Sequence, residues 1–228
     1  AVIASRLALD TPEIDLLVMA GSIARSAGDL LEYQLVDRNL KFLQQAADAD
    51  RDGALTLAEM RALDGDFGLG SIYVFNSASV LYQRSSSPEN GRTILGFNPA
   101  TDLDGDGRLQ IDAEIEPALR RDSERFRTLA ANGDLGRYWQ SSLEAEAPIS
   151  YIHRIEVPIL FVHGELDAQA PLDEPLALMA RLQSRGRTSY DLLVIPQAGH
   201  SLSVPNNFFR GDEGLSMLDN LTLNVPPP

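Results

Sequence analysis

Pro158-Ile-Leu-Phe-Val-His-Gly-Glu-Leu-Asp167 is the stretch whose reading decides the fold. Ile159 to Val162 is an unbroken apolar run, opened by a proline and followed by Gly164, as in a strand buried on both faces of a parallel sheet. Such a strand delivers the residues after it to the sheet edge where ligands bind. Helical spacing takes over from Leu172 to Arg185, where Leu176, Met179, Ala180 and Leu182 recur three to four apart, and Gly186 suits the helix end. A second apolar run, Leu192 to Ile195, leads through Pro196-Gln-Ala-Gly199 to His200. A strand-helix-strand unit of this kind predicts that Asp167 and His200 project from the same carboxyl-end edge. An imidazole held by a buried carboxylate is a general base set to one tautomer, the arrangement that activates a serine hydroxyl. Asp173 is the competing acid, because the same loop could present either carboxylate. His163 is expected in the core beside the strand end and His153 at the surface, and three histidines so scattered do not make a zinc site.

Upstream, Ala1 to Leu9 reads as a helix with Val2, Ile3, Leu7 and Leu9 largely on one side. Asp10-Thr-Pro-Glu13 stops it, and Ile14 to Ala20 is then a second buried strand ending at Gly21. A helix that packs on a parallel sheet normally follows a strand, and none precedes this one. With Ala1 rather than Met first, the expectation is a chain that begins partway through a longer protein.

The composition narrows the function. The 228 residues, 44% of them hydrophobic, can fill a core, and a net charge of −14 argues against nucleic acid and anionic membrane surfaces as partners. No apolar run approaches the ~20 residues that span a bilayer. The absence of cysteine excludes disulfides, thiolate metal sites and a cysteine nucleophile, and leaves the compartment open.

Much of the negative charge is local. From Ala27 to Ala47 a long amphipathic helix, carrying Leu30, Leu31, Leu35, Val36, Leu40 and Leu43, runs into Asp48-Ala-Asp50-Arg-Asp52-Gly53-Ala54-Leu55-Thr-Leu-Ala-Glu59. Carboxylates at positions one, three, five and twelve, glycine at six and an apolar residue at eight match an EF-hand calcium loop, with Ala54 lending its carbonyl. A second cluster, Asp102-Leu-Asp104-Gly-Asp106-Gly107-Arg108-Leu109-Gln-Ile-Asp112-Ala113-Glu114, begins the same way, with Arg108 offering the carbonyl. Its twelfth position is Ala113, so the closing carboxylate comes from Asp112 or Glu114, one residue out of register. Loops of this kind pack in pairs, which predicts that Leu55 and Leu109 are buried. The implied cofactor is Ca²⁺, and the loops lean toward a calcium-rich extracytoplasmic bacterial setting.

Residues 60 to 100 are less legible. The glycine-rich Asp64 to Gly70 lacks a phosphate-loop lysine, Tyr73, Phe75, Tyr82 and Phe97 are expected to pack this region, and Ser85 to Gly91 reads as a turn or mobile loop. Ile115 to Ala131 is helical by composition and stops at Asn132-Gly133, after which Trp139 reads as a packing residue more readily than a pocket residue.

In two separated blocks the chain resembles the carboxy-terminal part of an α/β-hydrolase-fold serine hydrolase. The blocks are Ala1 to about Gln34, with its Leu16-Leu-Val-Met-Ala-Gly21 strand, and Ile155 to Leu202, with the Pro158 to Asp167 strand and Gly199-His200. The resemblance implies an α/β class: a partial α/β-hydrolase fold of parallel strands and flanking helices over 1–34 and 148–228. Residues 35–147 then stand where the family inserts a cap, here an α-helical EF-hand-like insertion. It makes Asp167 the triad acid and His200 the triad base, acting on a small-molecule or peptide acyl substrate. The family's Gly-x-Ser-x-Gly elbow would lie ahead of the first helix, so the implied partner is the amino-terminal half of the same hydrolase. Ser5 lies inside the helix without that turn and is not proposed. Two alternatives stay open, a non-catalytic calcium-binding module on a hydrolase-like scaffold and an enzyme with an aspartate nucleophile.

Overall fold

A computed structural model describes residues 2–67, 78–87, 91–200 and 202. Tyr73, Phe75 and the end of the glycine-rich stretch, 68–70, lie outside them. In chain order, α1 (Val2–Asp10) and β1 (Leu17–Ala20) lead into a helical run in which α2 (Ala27–Glu32) and α3 (Arg38–Phe42) alternate with π-helical turns, Tyr33–Asp37 and Leu43–Ala47. Next come β2 (Ala54–Thr56), α4 (Leu57–Phe67), α5 (Ala78–Leu81), β3 (Tyr82–Ser87), β4 (Gly91–Phe97) and β5 (Arg108–Gln110). A π turn, Ile111–Ile115, opens α6 (Glu116–Ala131), followed by α7 (Arg137–Glu144), α8 (Pro148–Tyr151), β6 (Ile159–Gly164), α9 (Asp173–Gln183) and β7 (Tyr190–Ile195). The chain divides into two compact units, Ala1–Leu30 with Glu144–Pro228, and Leu31–Leu143.

The first unit is built on a parallel sheet of order β1-β6-β7. β6 is central, and five of its six residues are buried, which is why its sequence is continuously apolar rather than alternating. Its register sets Phe161 beside Met19 on one side and Leu192 on the other. Leu17, Met19, Ile159 and Phe161 form one core face with Ile152, Ile155, Leu178 and Leu182. Val162, Ile195, Ala198 and Leu202 form a smaller cluster.

Two helices in this unit turn a different face inward than their apolar spacing predicts. Ile3 and Leu7 of α1 are exposed, while Ala4, Ser5 and Ala8 pack inward. Small side chains allow close approach, and Ser5 Oγ donates to Val2 O at 2.8 Å and receives the Tyr151 hydroxyl at 2.8 Å. In α9, Leu176 is exposed, and the buried positions are Glu174, Pro175, Leu178 and Leu182. Glu174 has a reason to be inside. It accepts Ala24 N–H at 2.7 Å and Arg25 N–H at 3.3 Å and pairs with the Arg25 guanidinium.

The second unit is helical around a core of Leu35, Val36, Leu43, Leu55, Met60, Leu109, Ile111, Ile115 and Leu119. β2 and β5 pair antiparallel with Leu55 opposite Leu109, both fully buried. β3 and β4 form a hairpin on either side of 88–90 where the sequence reads as a loop, since its Ser- and Gly-rich strands carry little apolar alternation. Trp139 stands edge-on to Phe126 at 5.1 Å and packs against the core of this unit.

Candidate functional site: an acid–base pair and two acidic loops

β6 and β7 run parallel side by side, so the loops after them leave the sheet at one edge. Asp167 follows β6 and His200 follows β7, and Nδ1–H of His200 donates to Asp167 Oδ2 at 2.9 Å. The two loops are also tied through their backbones, with Glu165 N–H on Ile195 O at 3.0 Å and Leu166 N–H on Ala198 O at 2.8 Å. Asp167 is buried, whereas the His200 side chain is 38% exposed, so Nδ1 is engaged inward and the ring keeps an accessible side.

Burial is the largest influence on Asp167 and opposes its charge. The hydrogen bonds from His200, Ala170 N–H and Gln169 N–H together outweigh burial and hold the carboxyl below its ordinary range. Asp173 is exposed at the start of α9, and His200 pairs with Asp167. His163 is fully buried, and because a carbonyl can only accept, its Nε2 carries the proton donated to Ala170 O at 2.6 Å. It thus braces the segment whose Gln169 and Ala170 amides hold Asp167. His153 is half-buried.

In the second unit the carboxylates of Asp48, Asp50 and Asp52 converge to within 4.8 Å of one another, and those of Asp102, Asp104 and Asp106 do the same. Matching hydrogen bonds shape both loops. Gly53 N–H donates to Asp48 Oδ2 at 3.0 Å, and Gly107 N–H to Asp102 Oδ2 at 3.2 Å. Ala54 N–H reaches Asp52 at 2.9 Å, and Arg108 N–H reaches Asp106 at 2.8 Å. Arg51 and Gly105 at position four, and Gly53 and Gly107 at position six, all have positive φ.

The closing carboxylates show how the register difference is absorbed. Glu59 accepts Ala49 N–H at 3.0 Å and Thr56 N–H at 2.9 Å, spanning positions two and nine of its loop. Glu114 accepts Leu103 N–H and Gln110 N–H, both at 2.8 Å, which are positions two and nine of the second loop. Glu114 is buried and Asp112 exposed. The extra residue is taken up by the π turn Ile111–Ile115, whose wider winding brings position thirteen to where twelve would stand. The Arg108 guanidinium crosses between the loops to pair with Asp52, and this hydrogen bond is the chief cause of the lowered Asp52 pKa.

Two residues outside the expected set also matter in this unit: Glu174 ties α9 to the Ala24–Arg25 backbone, and Gly21 packs against the acid–base pair. Glu174 was readable in principle, because it lies four residues before Leu178 and eight before Leu182 on the buried stripe. The packing of Gly21 against His200 carries no sequence signal of its own.

Residues 125–214, less than half of the chain, match the sequence profile of the Prolyl oligopeptidase family. An uncharacterized peptidase of Bacillus subtilis (strain 168), YuxL, is 26% identical over 109 residues, which is 48% of this chain and 13% of that protein. Among solved structures, the chain is similar to MGS-M2, an alpha/beta hydrolase enzyme from a Medee basin deep-sea metagenome library, at a TM-score of 0.42 and 18% identity over 99% of this chain and 62% of that one. Esterase E22 gives 0.38 and 13%, over 89% and 54%. At these scores the structural likenesses carry no weight of their own. The profile match, with three parallel strands and the loops at their carboxyl ends, gives the first unit an α/β-hydrolase-like fold.

Proposed function

We propose that this chain supplies the acid and base of a serine hydrolase of the α/β-hydrolase type, acting on ester, amide or thioester bonds through an acyl-enzyme. The observation that carries the reading is the 2.9 Å bond from His200 Nδ1–H to buried Asp167 at the shared edge of β6 and β7. With Nδ1 protonated and directed at the carboxylate, the Nε2 lone pair is the site that takes the proton of an attacking hydroxyl. Asp167, held ionised by its three donors, then stabilises the imidazolium, which returns its proton to the leaving group. The hydroxyl would come from a serine in the glycine-flanked elbow that the family resemblance places ahead of α1. Ser5 does not fit that role, because it is fully buried and bonded to Val2 and Tyr151. The similarity to the Prolyl oligopeptidase family over 125–214 favours a peptide as the acyl substrate.

The test is turnover by the full-length protein of an activated ester and of a peptidyl anilide. His200→Ala is expected to lower kcat by on the order of 10³-fold or more with the fold retained by circular dichroism. Activity near wild type removes His200 from the reaction and leaves the calcium module on a hydrolase-like scaffold as the surviving reading.

The same proposal gives the second unit two calcium sites, held by Asp48, Asp50, Asp52, Ala54 O and Glu59, and by Asp102, Asp104, Asp106, Arg108 O and Glu114. The donor set is all oxygen, as a hard divalent cation demands. Asp102 Oδ1 is buried without a hydrogen-bond partner among the described residues, an uncompensated position that a cation would satisfy. Bound calcium would neutralise carboxylates packed within 4.8 Å of each other and so stabilise the insertion.

A further inference from the structure

β1 meets the acid–base pair through Gly21. This residue continues the β1–β6 ladder, donating its N–H to Val162 O at 3.0 Å, and then turns with φ +55°. A Cβ built on it would lie 3.0 Å from His200 Cε1, 3.3 Å from His200 Nδ1 and 3.8 Å from Asp167 Oδ2. The bare Cα of Gly21 is therefore a wall against which the imidazole rests, at the ring edge that carries the hydrogen bond to Asp167. Gly164 plays a related part at the end of β6, where a Cβ would lie 2.4 Å from both Ala198 O and Gly199 O, the backbone that leads into His200. Both glycines are missing side chains at points where the loops of the pair cross a strand end.

We propose that Gly21 is a positioning residue, whose lack of a side chain holds the His200 ring in register with Asp167. The inference rests on the hydrolase reading for its catalytic meaning and on packing for everything else. A side chain at Gly21 requires the ring to give by a few tenths of an ångström, and the contact beside that movement is the Nδ1 to Oδ2 hydrogen bond.

Positive φ alone would also favour glycine here, so the test needs a site with the same backbone and no neighbour. Gly186 is that site, with φ +73° and nothing within 4 Å of its Cβ position. Asparagine tolerates this conformation, so Gly21→Asn and Gly186→Asn carry similar backbone costs and differ in what the new side chain meets. In the 228-residue chain, the low-field proton resonance of a histidine Nδ1–H bonded to carboxylate, assigned by its loss in His200→Ala, is expected in wild type and in Gly186→Asn. It should vanish or move upfield in Gly21→Asn. The stability loss of Gly21→Asn beyond that of Gly186→Asn should also shrink when His200→Ala removes the ring, which reads the clash even if the single variant is poorly folded. An unchanged resonance in Gly21→Asn, with no coupling to His200→Ala, overturns the positioning role while leaving the acid–base pair standing. Absence of the resonance from wild type overturns both.

Discussion

The two acidic loops of the second unit close on the same pair of backbone contacts and reach them by different chain lengths. In the first, twelve residues bring Glu59 back over positions two and nine through a regular α-helical start at Leu57. In the second, thirteen residues are needed, and Glu114 makes the same two contacts because the helix opens with a π turn. What is held constant is the pair of backbone amides that the last carboxylate must grip, and the winding of the helix gives way to it. Loop length is thus the weaker constraint, and the pairing of Leu55 with Leu109 shows why. Once that buried pair fixes where each loop exits, the helix after it has one remaining freedom, its number of residues per turn.

The comparison can be broken at several levels. The largest expected effect comes from the ion itself. Chelating calcium from protein held at about a hundredfold excess over Kd should lower the melting temperature by on the order of 5–10 °C for each site. A melting curve that does not move in chelator breaks the metal reading of both loops together. Next comes the equivalence of the closing carboxylates. Glu59→Ala and Glu114→Ala should each cost about 1–3 kcal/mol in denaturant unfolding of the calcium-free protein, since each leaves two backbone amides without their acceptor. Asp112→Ala, on an exposed side chain, should stay within about 0.5 kcal/mol. If Asp112→Ala proves the costlier of the two in the second loop, the π turn does not do what is argued for it. The smallest effect sharpens the comparison. The Arg108 guanidinium sits on Asp52, where it would compete with a cation, so Arg108→Gln should tighten calcium binding at the first loop by about a few-fold at low salt. Titration calorimetry resolving the two sites would show whether the gain is confined to that loop.

The sequence discloses the sheet unit well, because burial on both faces of β6 leaves a run that only a few structures tolerate, and because an aspartate and a histidine directly after two such runs have one natural meeting place. The convergence of the acidic loops is legible for a related reason: their carboxylates are close in sequence, so spacing is nearly geometry. What stays hidden depends on winding and on contacts distant in the chain. Nothing local says whether Asp112 or Glu114 turns inward, since both are carboxylates one residue away from the usual position and only the π turn separates them. Hydrophobic spacing likewise misplaces the buried faces of α1 and α9. Ser5 and Glu174 are drawn inside by hydrogen bonds to Tyr151 and to the Ala24–Arg25 backbone, partners more than a hundred residues away. The β3–β4 hairpin is missed because its strands, rich in serine and glycine, lack the alternation that signals a half-buried sheet.

The order of strands in the sheet has a consequence for how the chain comes together. Asp167 and His200 are 33 residues apart and joined by a single crossover helix, whereas β1 must find β6 across the span from Leu17 to Ile159. Closing the longer span from an unfolded chain costs about 1 kcal/mol more in loop entropy, and non-local pairings of this kind slow folding. Any order gained by residues 31–143 shortens that effective loop. The insertion is therefore a tether whose slack bears on how readily β1, with Gly21 at its end, closes on the crossover unit that carries the base and acid.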